Sequence, residues 1–223
     1  MSIATTTHSD HDLQTSVQDE LDWTPEVDSA RIGVAVADGV ITLSGEVHSF
    51  SQRVAAKTAA LRVHGASLVR DALSVHPTMQ RPATEAHIRK EVRNALSSAG
   101  DVPHTVEAQV DAHKVILTGE VLWDFQRQAA ERMVQHLRGV YTVDNEITLT
   151  ARPSAVNTAQ RIKDAFVRSA QLDADFITVS VEGTRAVLTG RVRSSAEKEQ
   201  AELATWASPH VTHVDNYLMV QAS

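Results

Sequence analysis

The sequence predicts an α+β protein of three tandem α-β-β-α-β modules, each a small three-stranded mixed sheet covered on one face by two helices. Three observations lead there. The stretch Gly39–Val47, GVITLSGEV, returns as HKVILTGEV at His113–Val121 and as TRAVLTGRV at Thr184–Val192. The copies centre on Gly45, Gly119 and Gly190, so the period is 74 and then 71 residues, too long for a solenoid unit and suited to a small domain. Around each copy the hydrophobic pattern changes from helical to alternating, back to helical, and again to alternating.

The opening helix shows first. Leu13, Val17 and Leu21 recur on one face, with acidic residues near the start. Ile88, Val92 and Leu96 repeat the stripe, and Ile162, Phe166 and Ala170 do so again. A hairpin follows. Ile32, Val34 and Val36 alternate, Asp38-Gly39 is a turn pair that favours positive φ, and Ile41, Leu43 and Val47 resume the strand. The matching hairpins are Val106–Val110 with Val115–Val121, and Ile177–Val181 with Ala186–Val192. The repeated glycine sits near the exit of the second strand, where glycine marks a bulge or a close backbone approach. We read Gly45, Gly119 and Gly190 as structural.

The second helix is clearest in the middle copy, as a stripe of Phe125, Ala129, Ala130, Met133, Val134 and Leu137. Ala55, Ala56, Ala59, Ala60 and Val63 match it in the first copy, and Ala201 and Ala204 in the third. Gly65 and Gly139 end two of these helices, and His210 holds that place in the third. The closing strands are Leu68–Val75, Val140–Leu149 and Val211–Val220. Val69, Val143 and Val214 each lie 24 residues past the repeated glycine, so this half of the module repeats without a gap. Short proline-containing linkers at 76–82 and 151–154 set module bounds at 8–77, 82–151 and 155–222. The crossover to the last strand should be right-handed.

With 223 residues and no cysteine, the chain has neither a disulfide framework nor thiolate chemistry. Modules this small are marginal alone, so they are expected to pack on one another or on another chain, an oligomer included. The N-terminal stretch MSIATTTHSDHDL has no basic residue and no apolar run, so the expected location is cytoplasmic, and no segment has the length of a membrane span. The net charge of −7 divides as −5 for residues 1–77, −2 for 78–151 and 0 for 152–223. The acidic first module repels phosphate backbones, so nucleic acid is a poor partner.

The order of elements, Val40–Val47, Val115–Val121 and Val187–Val192, and the closers Val143-Asp144-Asn145 and Val214-Asp215-Asn216 together resemble the BON domain, the family named for bacterial osmotically induced and nodulation proteins. The first module closes with Val69-Arg70-Asp71 instead. The resemblance covers nearly all of residues 10–222. It implies a non-enzymatic, transport-associated binding module that contacts phospholipid or membrane and takes part in envelope integrity and osmotic stress.

No chemistry is visible in the motifs. His8 with His11, and His210 with His213, are spaced as pairs, whereas a zinc site needs three or four converging ligands. No phosphate loop, nucleophile elbow or dinucleotide fingerprint is present, and the carboxylates read as solvated, so no catalytic residue, metal or cofactor is assigned. The aromatic residues are more informative. Trp123 stands where the other copies have Ser49 and Ser194, and Phe125 where they have Ser51 and Ala196. Large aromatics at sites that tolerate serine need something to cover them. Trp206 matches Leu61 and Gln135. These three residues are the candidate contacts for a neighbouring module, a protein partner or a phospholipid surface. The expected function is a stress-associated binding or scaffold protein. The alternative is a cation or small-ligand sensor whose modules tighten on binding.

Overall fold

The computed structural model describes residues 10–76, 83–152, 157–169 and 172–221. The first module is α1 (Asp10–Asp22), β1 (Ile32–Ala37), β2 (Val40–Val47), α2 (Phe50–Arg62) and β3 (Leu68–Val75). The second is α3 (Glu85–Ser98), β4 (Glu107–Asp111), β5 (Lys114–Thr118), β6 (Glu120–Val121), α4 (Asp124–Gln135), β7 (Thr142–Asn145) and β8 (Thr148–Leu149). The third is α5 (Thr158–Arg168), β9 (Ile177–Glu182), β10 (Arg185–Val192), α6 (Ser195–Trp206) and β11 (His213–Val220).

In each module the middle strand pairs antiparallel with the first strand and parallel with the last. The sheets are separate, and each module has its own core. The second module departs from the expected three unbroken strands. Its middle strand breaks at Gly119 and its last strand breaks after Asn145. Main-chain bonds still cross both breaks, from the Glu146 N–H to the Leu117 carbonyl (2.8 Å) and from the Thr148 N–H to the Gly119 carbonyl (2.9 Å). The third module's last strand starts at His213 rather than Val211, although Val211 is buried.

The helical stripes face the sheets. Leu13, Val17, Leu21, Ile88, Val92, Ile162 and Phe166 are all buried, while Ala170 lies outside the described residues. One expectation needs correction. The helical spacing puts Phe125 and Met133 on the buried stripe of the second helix, but they are 52% and 42% exposed. Ala129, Ala130 and Val134 suffice to cover the sheet, and Phe125 lies in the first turn of α4, beside the third module.

The repeated glycines share one geometry. Their φ angles are +114°, +123° and +124°, and a Cβ on each would lie 2.1 Å from a backbone oxygen, that of Arg31, Thr105 or Phe176. Any side chain would collide with the main chain entering the first strand, so the close approach is to the protein's own backbone.

A polar clamp ties the second helix to the last strand. The Asn145 amide donates to the Arg127 carbonyl (3.1 Å) and to Glu131 (3.0 Å), and its oxygen accepts from the Ile147 N–H. Asn216 does the same with Lys198, Glu202 and Leu218. The first module has Asp71 in that place, and it accepts from the Arg53 Nε at 2.8 Å and from the Leu73 N–H. Lys57 occupies the position of Glu131 and Glu202, so the change of Asn to Asp is matched by a change of charge on the helix.

Candidate interaction site at the seam of the second and third modules

Each second helix starts under the same local rule, and one copy breaks it. Ser49 Oγ accepts from the Gln52 N–H (3.2 Å), and the Gln52 side chain accepts from the His48 N–H (3.0 Å). Ser194 Oγ accepts from the Glu197 N–H (3.1 Å), and Glu197 accepts from the Arg193 N–H (2.7 Å). In both, the serine hydroxyl caps the helix while the residue three positions on holds the N–H just before the cap. In the middle copy the cap is Trp123, whose indole can only donate. Gln126 still accepts from the Leu122 and Trp123 N–H groups, but its own N–H donates to the Trp123 backbone carbonyl (3.1 Å) in place of a side-chain oxygen. Replacing a serine cap with a residue that cannot accept costs about 1 kcal/mol. A local rule broken in one copy of three is where a role beyond folding is expected.

Trp123 stands at a seam. With Asp124, Phe125 and Gln128 of α4 it faces Leu203, Trp206 and Ala207 at the end of α6 across a groove of about 410 Å³. The Arg152 guanidinium lies 4.5 Å from the centre of the Trp123 ring, and that of Arg127 lies 4.5 Å from the centre of Trp206. The structure therefore brings Trp123, Phe125 and Trp206 together, with both tryptophans half-buried under a cation and Phe125 exposed. Trp206 also packs against the core of its own module, and Arg127 reaches it from the second. Gly45, Gly119 and Gly190 lie apart from it, in the hairpins.

The seam also holds residues that sequence reasoning missed. The sequence pattern places every carboxylate on a solvated face, yet Asp124 is 4% exposed and Glu197 is 5% exposed. Burial pushes the Asp124 carboxyl above the ordinary aspartate range, against the pull of Arg127 and Gln128, and the Glu202 carboxylate of α6 adds to the upward push. Asp124 pairs with Arg127 and accepts from the Gln128 amide (2.5 Å), so one carboxylate positions the guanidinium that covers Trp206. Burial would also raise Glu197, but the Arg193 and Asp173 N–H groups and the Arg193 guanidinium outweigh it and hold the carboxyl below its ordinary value. Asp124 follows its cap directly, as Ser195 does in the third module, and the buried Ser195 hydroxyl donates to the Ala66 carbonyl of the first module. The start of a second helix is thus a point where modules meet. The repeat alignment was the signal, since one position holds Phe50, Asp124 and Ser195.

His8 lies outside the described residues, and His210 and His213 acquire no third ligand. Among the described residues no group of three or more His, Asp or Glu side chains could hold a metal ion. No helix among them is long and apolar enough to cross a membrane.

Comparison with known families decides what this threefold unit is. The model described as the BON domain matches residues 9–77, 84–151 and 154–222. The chain belongs to the BON domain family. BON domains form a non-catalytic binding family, and three of them account for nearly the whole chain. Two solved structures align along its length. One is CdsD, a structural protein of the type III secretion system of Chlamydia trachomatis, with 15% identity over 95% of this chain and 93% of that one, at a TM-score of 0.27. The other is the C-terminal domain of CdsD, with 14% identity over 94% and 98% of the two chains, also at 0.27. A comparison with curated proteins gave no match.

Proposed function

We propose that this triple-BON protein is a non-catalytic binding and scaffolding unit that lays the seam of its second and third modules against an anionic phospholipid surface. The observation that carries the reading is Trp123, an aromatic residue at a helix cap where both sister modules use serine. Its neighbours suit an interface. Phe125 and Leu203 are exposed, and an indole combines an apolar body with a polar tip. Arg152 adds positive charge beside Trp123, and a basic group near an anionic leaflet contributes about 1 kcal/mol.

The test is tryptophan emission in a Trp23→Phe background, because Trp23 is 85% exposed elsewhere on the first module. Phosphatidylglycerol vesicles should shift the emission to the blue, and Trp123→Ala should remove most of the shift. No shift with vesicles, together with capture of a protein that Trp123→Ala abolishes, would replace the lipid surface with a protein partner.

A further inference from the structure

A second site, independent of the seam, emerges when the opening helices are compared. In the first module Gln14 on α1 donates its Nε2 to the Val34 carbonyl of β1 (2.8 Å) and so bridges helix and sheet edge. The corresponding residues in the second module are Arg89 and Ala108. Arg89 instead pairs back along α3 with Glu85. The gap stays open as a cleft of about 420 Å³, floored by Val92, Leu96 and Ala108, rimmed by Arg89, Arg93 and His104, and bounded by Glu107 at the start of β4.

The wall of this cleft is an edge strand, because β4 lies at the end of the order β4-β5-β7. Asp111 pairs with Lys114 across a two-residue turn, so Gln109 and Glu107 also fall at hydrogen-bonded pairs. Val110 and Ala108 fall between them, with N–H and C=O groups turned away from β5. The Gln14–Val34 bond shows the same outward direction at the equivalent carbonyl of the first module. An edge with free backbone groups beside a helix is where an extended peptide adds a strand.

Charge selects the peptide. Arg93 has no ion-pair partner among the described residues, and both arginines stand on the exposed side of α3. Glu107 and Asp111 alternate to the opposite face of the sheet. An incoming strand therefore meets positive charge on its helix side and negative charge on its other side. We propose that this cleft binds an extended acidic peptide segment, which pairs with β4 and turns the carboxylates of alternate residues toward Arg89 and Arg93. The sister modules have Val34 and Val179 in place of Ala108, so the second module alone has the smaller side chain there.

The experiment uses the full chain and an acetylated, fluorescein-labelled peptide alternating glutamate with threonine. Its controls are the lysine–threonine peptide and phosphatidylglycerol vesicles. The acidic peptide should bind and slow hydrogen exchange at the Ala108 and Val110 amides. Ala108→Val and Arg93→Gln should each weaken it by about ten-fold, or about 1.4 kcal/mol, without lowering the melting temperature. Absence of binding, equal binding of the lysine peptide, or unchanged affinity in both variants would overturn the proposal. Slowed exchange at these amides with vesicles and not with peptide would make the cleft a headgroup site instead.

Discussion

Gly45, Gly119 and Gly190 show how much one residue can fix. A positive φ alone makes a side chain unfavourable, and a Cβ 2.1 Å from a carbonyl oxygen makes it intolerable without moving a strand. Alanine at any of the three is expected to cost about 3 kcal/mol or more, read as a fall in urea midpoint. Because the three surroundings are the same, the three losses should be alike. A substitution that melts like the wild type would show that the main chain there can retreat. The need for glycine was legible in the sequence, since the residue returns in register. The atom that demands it was not, because Arg31, Thr105 and Phe176 have nothing in common except their backbone.

Among the elements, the start of α6 depends on a carboxylate. Glu197 accepts from its own helix's cap region through Arg193 and from the loop before β9 through the Asp173 N–H (2.9 Å). Gln52 and Gln126 hold that position in the sister helices and keep only the first role. Glu197→Gln should therefore preserve the bond from the Arg193 N–H but leave the Asp173 N–H without its acceptor, a loss of about 1–3 kcal/mol at neutral pH. Since the folded-state pKa is depressed, the carboxylate's contribution is present above the unfolded pKa and is lost as pH falls through the folded one. The gap in melting temperature between wild type and Glu197→Gln should close on acidification. A gap that widened would contradict this assignment. The helices and strands themselves were legible from the stripes of Leu13, Ile88 and Ile162 and from the alternation around the hairpin turns. The burial of Asp124 and Glu197 was not, because it is imposed by neighbouring modules and loops that no local pattern encodes. Phe125 keeps the helix spacing but stands in the first turn of α4, where Ala129, Ala130 and Val134 already cover the sheet and leave it exposed.

For the whole molecule, three separate cores are joined through the ends of the second helices. Ser195 reaches Ala66, and Arg127 reaches Trp206. The sequence showed that the modules repeat and that Trp123, Phe125 and Trp206 were unusual. It could not show that Trp123 and Trp206, 83 positions apart in two modules, line one groove. Where the repeats agree, the residue serves the fold, as the glycines do. Where one copy departs, as at Trp123 and Ala108, the departure marks a surface. The most direct measurement on this claim is Trp123→Ser in the full chain, followed by thermal melting and by pelleting with phosphatidylglycerol vesicles. Serine restores the cap of both sister helices, worth about 1 kcal/mol, so the melting temperature should not fall while pelleting is lost. A clear drop in melting temperature with pelleting intact would show that Trp123 serves the fold alone.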